Sequence, residues 1–241
     1  SYYEESLMKG WVSSEQEAEM MRLYDQYAVE CPDIVHMVSH AMLQRVRAKE
    51  GKKYVVVHHG LPLEDFSPTF TDHDPIRIAC SGVIAYVKGY DILMDALIML
   101  KDEMPGRYEI VIYGDGPLKN ELEQVANKHQ LSVRFPGMVS HEIIRKELPN
   151  YDIFVQPSRF DSFGLSVTEA LASGCAVICS DTGGLKEQIV HEYNGLLFET
   201  GNARQLADSI RRLIEDVELR SKLRQNGVRT VRERFSEQVM M

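Results

Sequence analysis

From residue 76 onward the chain alternates between two periods of apolar residues. Short runs that are apolar at successive positions, such as Ile110-Val111-Ile112 and Ala176-Val177-Ile178, alternate with stretches in which apolar residues recur every three or four positions. The first pattern predicts strands buried on both faces and the second predicts amphipathic helices. Their alternation predicts β-α units around a parallel sheet. Strands are expected at 76–81, 108–113, 132–135, 152–156, 176–180 and 195–198.

The intervening helices carry boundary signals. One begins at Lys88, sets Leu93, Ala96, Leu97 and Leu100 on one stripe and stops at Pro105. The next has Pro117 in its first turn and carries Leu118, Leu122, Val125 and Ala126. Ser140 is an N-cap candidate for a third, and a fourth runs from about Phe163 to Gly174, whose glycine supplies a left-handed stop. A short fifth follows Gly183-Gly184, and a sixth groups Leu206, Ile210, Leu213 and Ile214. A polar, charged segment from Val217 to Phe235 closes the chain.

Residues 1–72 read differently: a helix behind the capping box Ser14-Glu15-Gln16-Glu17, a strand at 33–38, a helix starting near Ser39 and a strand at 54–57. Two strands and two helices make about half a domain. The stretch from Gly60 to Pro75, with Pro62 and Pro68 among acidic and polar residues, reads as a hinge or linker. The division expected is therefore a partial α/β segment with its hinge at 1–72 and a doubly wound, Rossmann-like α/β domain at 73–241.

Composition narrows the function. A chain of 241 residues, 44% hydrophobic and 26% charged, is that of an ordinary globule. Its net charge of −9 disfavours nucleic-acid backbones and anionic lipid, so an anionic ligand must be met by a few placed groups. Residues 1–72 hold −5 of that charge and residues 73–241 the other −4. No window approaches the ~18 apolar residues of a membrane span, and the start Ser1-Tyr2-Tyr3-Glu4-Glu5 lacks the features of a signal peptide. A cytoplasmic chain is expected, and its start at Ser rather than Met suggests an excised or processed piece. Cys31, Cys80, Cys175 and Cys179 are too sparse for a disulfide scaffold and lack histidines at zinc spacing, so all four are expected to be small buried hydrophobes. His36 and His40 straddle a strand end rather than share a helix face, so no metal site is expected there. Met240 and Met241 are expected to form a frayed terminus.

In doubly wound sheets ligands sit outside the carboxyl ends of the strands, which selects the loops after Cys80, Tyr113, Phe135, Gln156 and Cys179. Ser81-Gly82, Gly114-Asp115-Gly116 and Gly183-Gly184 allow close backbone approach to a ligand, although tight turns alone call for the same glycines. The loop from Pro157 to Ala170 is more informative. Asp161 precedes a helix N-terminus, and Glu169 lies about a turn and a half inside that helix among Ala, Leu and Val. An ionisable group there needs a partner, which a sugar hydroxyl or a basic neighbour could supply. The N–H groups of Gly164 to Val167 and the helix dipole make an anion site, while the plainer reading of Asp161 is a helix cap.

Taken in order, these loops resemble the GT-B fold glycosyltransferases of family 4, also called glycosyl transferases group 1. The resemblance rests on Ser81-Gly82-Val83-Ile84-Ala85-Tyr86-Val87-Lys88-Gly89, Gly114-Asp115-Gly116-Pro117, Phe135-Pro136-Gly137, Pro157 through Ala170 with seven residues between its two acidic positions, Gly183-Gly184-Leu185-Lys186-Glu187 and Asn194-Gly195-Leu196-Leu197. It covers about 73–215, and residues 33–68 resemble the end of the family's N-terminal domain with its hinge at His59-Gly60-Leu61-Pro62-Leu63.

The resemblance implies a domain that binds a nucleotide-diphosphate sugar (UDP-, GDP- or ADP-linked) without a metal or other cofactor. It implies retaining transfer to a saccharide, lipid-linked or protein acceptor held by an N-terminal domain. Lys88 matches the lysine on the diphosphate, and Asp161 takes the place of the glutamate against the donor sugar; these two are the implied catalytic positions. Glu169 matches the ribose-holding acid. Gly82, Gly164 and the N–H groups of Leu165 and Ser166 match the diphosphate loops, and Met138 and Val139 fall where backbone meets the base. Fixed donors and one lysine can stabilise a departing pyrophosphate. No nucleic-acid partner is implied, and peripheral attachment at the inner membrane face is compatible with the resemblance.

Two positions depart from the family pattern. Val83 stands where an arginine is expected, leaving Arg159 or Arg77 to compensate, and Asp161 is one methylene shorter than glutamate. His58 and His59 read as structural or cleft-lining. A two-domain enzyme of this kind needs ~350 or more residues. A partner chain supplying the missing acceptor domain is therefore a further expectation. The rival readings are a non-catalytic nucleotide-sugar-binding or partner subunit of the same fold, a nucleotide-sugar epimerase, and a plain dinucleotide-binding domain, for which no G-x-G-x-x-G opens a helix.

Overall fold

Strand β1 (Ile34–Met37) pairs in parallel with β2 (Lys53–Val56), and α1 (His40–Arg45) lies between them in sequence. Ser39 caps α1, its hydroxyl accepting from the Met42 N–H at 3.1 Å. The structure is a computed structural model that describes residues 31–46 and 51–240 and isolated positions between 19 and 28. The capping box of the helix expected behind Ser14 lies outside the described residues, and the described positions Glu19, Met20, Leu23, Gln26, Tyr27 and Ala28 are helical.

The main sheet joins six parallel strands: β3 (Ile76–Ser81), β4 (Tyr108–Tyr113), β5 (Val133–Gly137), β6 (Ile153–Gln156), β7 (Ala176–Ser180) and β8 (Leu196–Phe198). Their order is β5-β4-β3-β6-β7-β8. Between and after them come α2 (Tyr90–Leu100), α3 (Lys119–His129), α4 (His141–Glu147), α5 (Leu165–Ala172), α6 (Leu185–Gln188), α7 (Ala203–Glu215), α8 (Val217–Arg234) and α9 (Glu237–Met240). Alternate strand residues serve opposite faces. Ile78, Cys80, Ile110, Ile112 and Ile178 pack with α2, α3 and α7, whereas Ala79, Val111, Phe154, Val177 and Cys179 pack with α4, α5 and α8. This two-sided burial is why the strands read as continuous apolar runs. The chain is thus a doubly wound α/β structure, and the order reverses between the neighbours β3 and β6. No helix among the described residues is long and apolar enough to cross a membrane.

Several expectations are corrected. The first helix of the domain starts at Tyr90 rather than Lys88, because a 3₁₀ turn at Tyr86–Lys88 ends in Gly89 at φ 65°. Cys80, Cys175 and Cys179 are buried, but Cys31 is exposed, just before the edge of the small sheet. Met240 is not frayed: Leu61 N–H donates to the Phe235 carbonyl at 2.8 Å and Glu237 N–H to the Leu61 carbonyl at 3.1 Å, and Met240 packs against the core.

The polar segment after Val217 is an 18-residue helix, α8, whose Arg220 and Arg224 are 2% and 1% exposed. Asp72 pairs with both, at 3.0 Å and 2.9 Å. Arg224 also donates to the carbonyls of Gly174 at 2.6 Å and Thr69 at 2.9 Å. The fully buried Asp152, directly before β6, accepts from the Arg77 N–H at 2.8 Å and the His73 N–H at 3.2 Å, and lies 3.9 Å from Arg224. The polar stretch before β3 is therefore pinned to the domain by buried charges. Replacing Asp152 with Ala removes a buried acceptor and leaves Arg77 N–H unmet, so Asp152→Ala should cost about 3 kcal/mol. Urea denaturation should show the midpoint fall, with Asp152→Asn intermediate; an unchanged midpoint for the alanine variant would refute a structural role for the network.

Candidate functional site

The loops after β3, β4 and β5 are joined backbone to backbone. Gly82 N–H donates to the Tyr113 carbonyl at 3.0 Å and Gly114 N–H to the Gly137 carbonyl at 2.9 Å. A Cβ on Gly114 would lie 1.9 Å from the Gly82 carbonyl oxygen, so this approach requires glycine. The shelf so formed is one wall of a cavity of about 460 Å³ at the carboxyl ends of the strands. Gly82, Val83, Lys88, Met138, Val139, Ser166 and Glu169 all line it, together with Ser81, Tyr113, Asp115, His141 and Ile144.

Helix α5 forms the opposite wall. Gly164 precedes it at φ 90°, and a Cβ there would meet Leu185 Cδ2 at 2.2 Å. The first bond within the helix runs from Val167 N–H to the Gly164 carbonyl at 2.9 Å, so the N–H groups of Leu165 and Ser166 precede the intrahelical ladder. The Ser166 hydroxyl is turned to Gln156, at 3.2 Å. Glu169 is 3% exposed, with His141 Nδ1 at 3.2 Å from its Oε1. Burial pushes the Glu169 carboxyl up to about 7, against the opposing pull of the Arg145 guanidinium.

Lys88 projects from its 3₁₀ turn to donate to Asp161 Oδ2 at 2.5 Å, so the shorter acid still reaches the lysine. Neither arginine joins the cavity lining. Arg159 donates to both carboxylate oxygens of Asp91, at 2.7 and 2.6 Å, and lies 3.8 Å from the Tyr86 ring centre. Arg77 sits at the opposite end of β3 and pairs with Glu109 at 3.3 Å. Lys88 is the one Lys or Arg lining the cavity among the described residues.

His58 and His59 lie outside the cavity, packed about Phe163. The His58 ring stacks on it at 5.5 Å and that of His59 meets it edge-on at 5.4 Å. His58 Nε2 is 3.0 Å from Glu187 Oε2, and Glu187 also accepts from the His40 and Ala41 N–H groups of α1. This carboxylate therefore ties the small sheet to the domain. Among the described residues no group of three or more His, Cys, Asp or Glu is arranged to hold a metal ion. Reasoning from the sequence missed His141, although its place directly after the cap Ser140, in the first turn following β5, is a signal that the strand-end rule could have used.

Residues 63–230 match the family model described as glycosyl transferases group 1. The chain is 28% identical over 207 residues to an uncharacterized glycosyltransferase of Methanocaldococcus jannaschii, covering 86% of this chain and 56% of that protein. Among solved structures, the C-terminal domain of a glycosyl transferase group 1 family protein of Francisella tularensis is 29% identical with a TM-score of 0.67, over 74% of this chain and 100% of that one. Anabaena HepE, crystallised with UDP-glucose, superposes with a TM-score of 0.79 over 94% of this chain and 66% of that one; at 21% identity this shows a shared fold. The chain spans about half the length of the curated relatives it matches. Since the family model covers well over half of the molecule, the chain belongs to the group 1 glycosyl transferases, on a GT-B type α/β fold.

Proposed function

We propose that this chain is the donor-binding part of a retaining, metal-independent glycosyltransferase of family 4, with a nucleotide-diphosphate sugar in the cavity between β3 and α5. The observation that carries the reading is the convergence of Lys88, Ser166, Glu169, Met138 and Val139 on one cavity at the reversal point of the sheet. Its volume falls within the ~300–1,000 Å³ of small-molecule sites. A structural neighbour crystallised with UDP-glucose supports the same class of ligand.

In this reading the base lies along Met138 and Val139, and the ribose hydroxyls meet Glu169. The diphosphate takes Lys88 Nζ and the N–H groups of Leu165 and Ser166, with Asp161 at the sugar. As the glycosidic bond breaks, negative charge gathers on the pyrophosphate, and a lysine with fixed N–H groups stabilises it without reorganisation. The acceptor, saccharide, lipid-linked or protein, is held by a domain outside this chain's donor site. A cytoplasmic location with peripheral attachment at the inner membrane face fits a lipid-linked acceptor. The second reading, a non-catalytic nucleotide-sugar-binding or partner subunit, is favoured by Val83 and by the pairing of Lys88 with Asp161.

Calorimetric titration with UDP, GDP and ADP tests the site. One of them should bind, and Lys88→Ala should then weaken the diphosphate by about 10–100-fold, the worth of a charge-assisted hydrogen bond, while leaving the bare nucleoside unaffected. Glu169→Ala should weaken nucleoside and diphosphate alike. Equal losses on the nucleoside for both variants would refute these roles, and transfer or hydrolysis assays then separate enzyme from binder.

A carboxylate kept in so apolar a place lowers stability, and the sign can be read. The Glu169 pKa is raised from 4.5 to about 7 in the folded state. Between those values the folded chain binds more protons than the unfolded one, so stability falls as pH rises through the window. The loss reaches at most about 3 kcal/mol above it. Glu169→Gln should therefore gain stability over the unaltered protein progressively from pH 4.5 to 8 while losing ribose affinity. A stability difference that is flat across that pH range would overturn the assignment.

A further inference from the structure

Among the described residues one buried side-chain oxygen has no hydrogen-bond partner, the hydroxyl of Tyr90. The residue is 1% exposed and opens α2, directly after Lys88 and Gly89. Phenylalanine would fill the same space without burying an unmet polar group, so the hydroxyl is a cost that a purely structural role leaves unexplained.

Its surroundings point to the donor site. A Cβ on Gly82 would lie 3.4 Å from Tyr90 Oη and 3.6 Å from Lys88 Cε, so the hydroxyl and the end of the lysine chain both pack against the same glycine of the loop that lines the cavity. Burial, followed by the nearby Cys80 and Asp161, holds the phenol well above its ordinary pKa, so the group is an O–H donor. Lys88 and Asp161, whose side chains are 16% and 11% exposed, currently satisfy each other. On the donor reading above, on which this inference rests, a diphosphate competes for the lysine. Asp161 would then keep its charge in a poorly solvated place with its cation gone, which is unfavourable unless another donor replaces it.

We propose that Tyr90 is a positioning residue of the donor site, its O–H donating to Asp161 when a diphosphate draws Lys88 away. The unmet hydroxyl of the free protein is then a donor held in reserve, and the carboxylate stays fixed for the sugar while the lysine changes partner.

A double-mutant cycle tests the pairing without any ligand. Tyr90→Phe alone should leave the melting temperature unchanged or raise it by about 1–3 °C, whereas in a Lys88→Met background, where Asp161 has lost its cation, the same change should lower it by about 4 °C or more. Equal effects in both backgrounds overturn the proposal. Calorimetry supplies the second arm: Tyr90→Phe should weaken UDP by about 5–10-fold and leave uridine unchanged. An unchanged UDP affinity, or an equal loss on uridine, overturns it as well. If the unaltered protein binds no nucleotide, the donor reading falls and with it the ligand-driven exchange. The cycle still decides whether Tyr90 is the alternative donor to Asp161.

Discussion

The site depends on holding together two loops that the sheet drives apart. β3 and β6 are neighbours at its centre, yet β3 leads to α2 on one face and β6 to α5 on the other. The gap is bridged by backbone and by one arginine. Arg159 N–H donates to the Val87 carbonyl at 2.8 Å, and its guanidinium donates to the Tyr86 carbonyl at 2.9 Å while gripping Asp91 on α2. A Cβ on Gly89 would fall 2.1 Å from the Pro157 carbonyl oxygen, so the two loops touch at a residue that must be glycine. This stitching consumes Arg159. It does not consume the N–H groups at the start of α5, and it carries Lys88 across to Asp161.

The strands were legible because burial on both faces leaves no room for polar interruptions. The runs at 76–81, 108–113 and 176–180 coincide with β3, β4 and β7 to the residue. α8 was not legible, since its stripe of Leu219, Leu223, Val228 and Val231 is broken by two buried arginines. Their partners, Asp72 and Asp152, are distant in sequence, so no local pattern predicts that these charges can be buried. Arg159 shows the same gap: its loop placement suggested a ligand contact, but Asp91, 68 residues earlier, claims it. Of the residues that line the cavity, Gly82 was legible as a glycine in a strand-end loop and Ser166 and Glu169 from the helix that follows β6, whereas Lys88, Met138 and Val139 were marked only by the family resemblance. Tyr90 was not, since an unmet hydroxyl is a property of the three-dimensional environment and leaves no mark on neighbouring residues.

Charge at the site is arranged for short range. The chain carries −9 overall, and the cavity wall includes Asp115 and Glu169 beside a single lysine. An anionic ligand gains little from the distant field and must be recognised by groups within hydrogen-bond reach. Burial moderates the conflict at Glu169, because a carboxyl raised to about 7 is partly neutral near neutral pH and can donate as well as accept toward hydroxyls. Asp115 is moderated differently, with Oδ1 taken by the Gly116 N–H at 2.7 Å.

On the proposed donor reading, the energetics of anion binding reduce to an exchange of partners at Lys88. The 2.5 Å pair with Asp161 already holds the charge-assisted bond that a phosphate would offer, in a similar degree of burial. A diphosphate carries more charge than the carboxylate it displaces, so the exchange gains at Lys88, but by less than the full worth of the new bond, because the old one is given up. The balance is then set by two other quantities: how many fixed N–H groups meet the incoming anion, and how well the abandoned carboxylate is satisfied. Leu165 and Ser166 bear on the first. The second falls on whichever donor replaces Lys88 at Asp161, because a buried carboxylate left unpaired costs several kcal/mol, enough to cancel what the new ion pair contributes. A site with one cation and a built-in counter-ion can hold a diphosphate only if both requirements are met in the same movement.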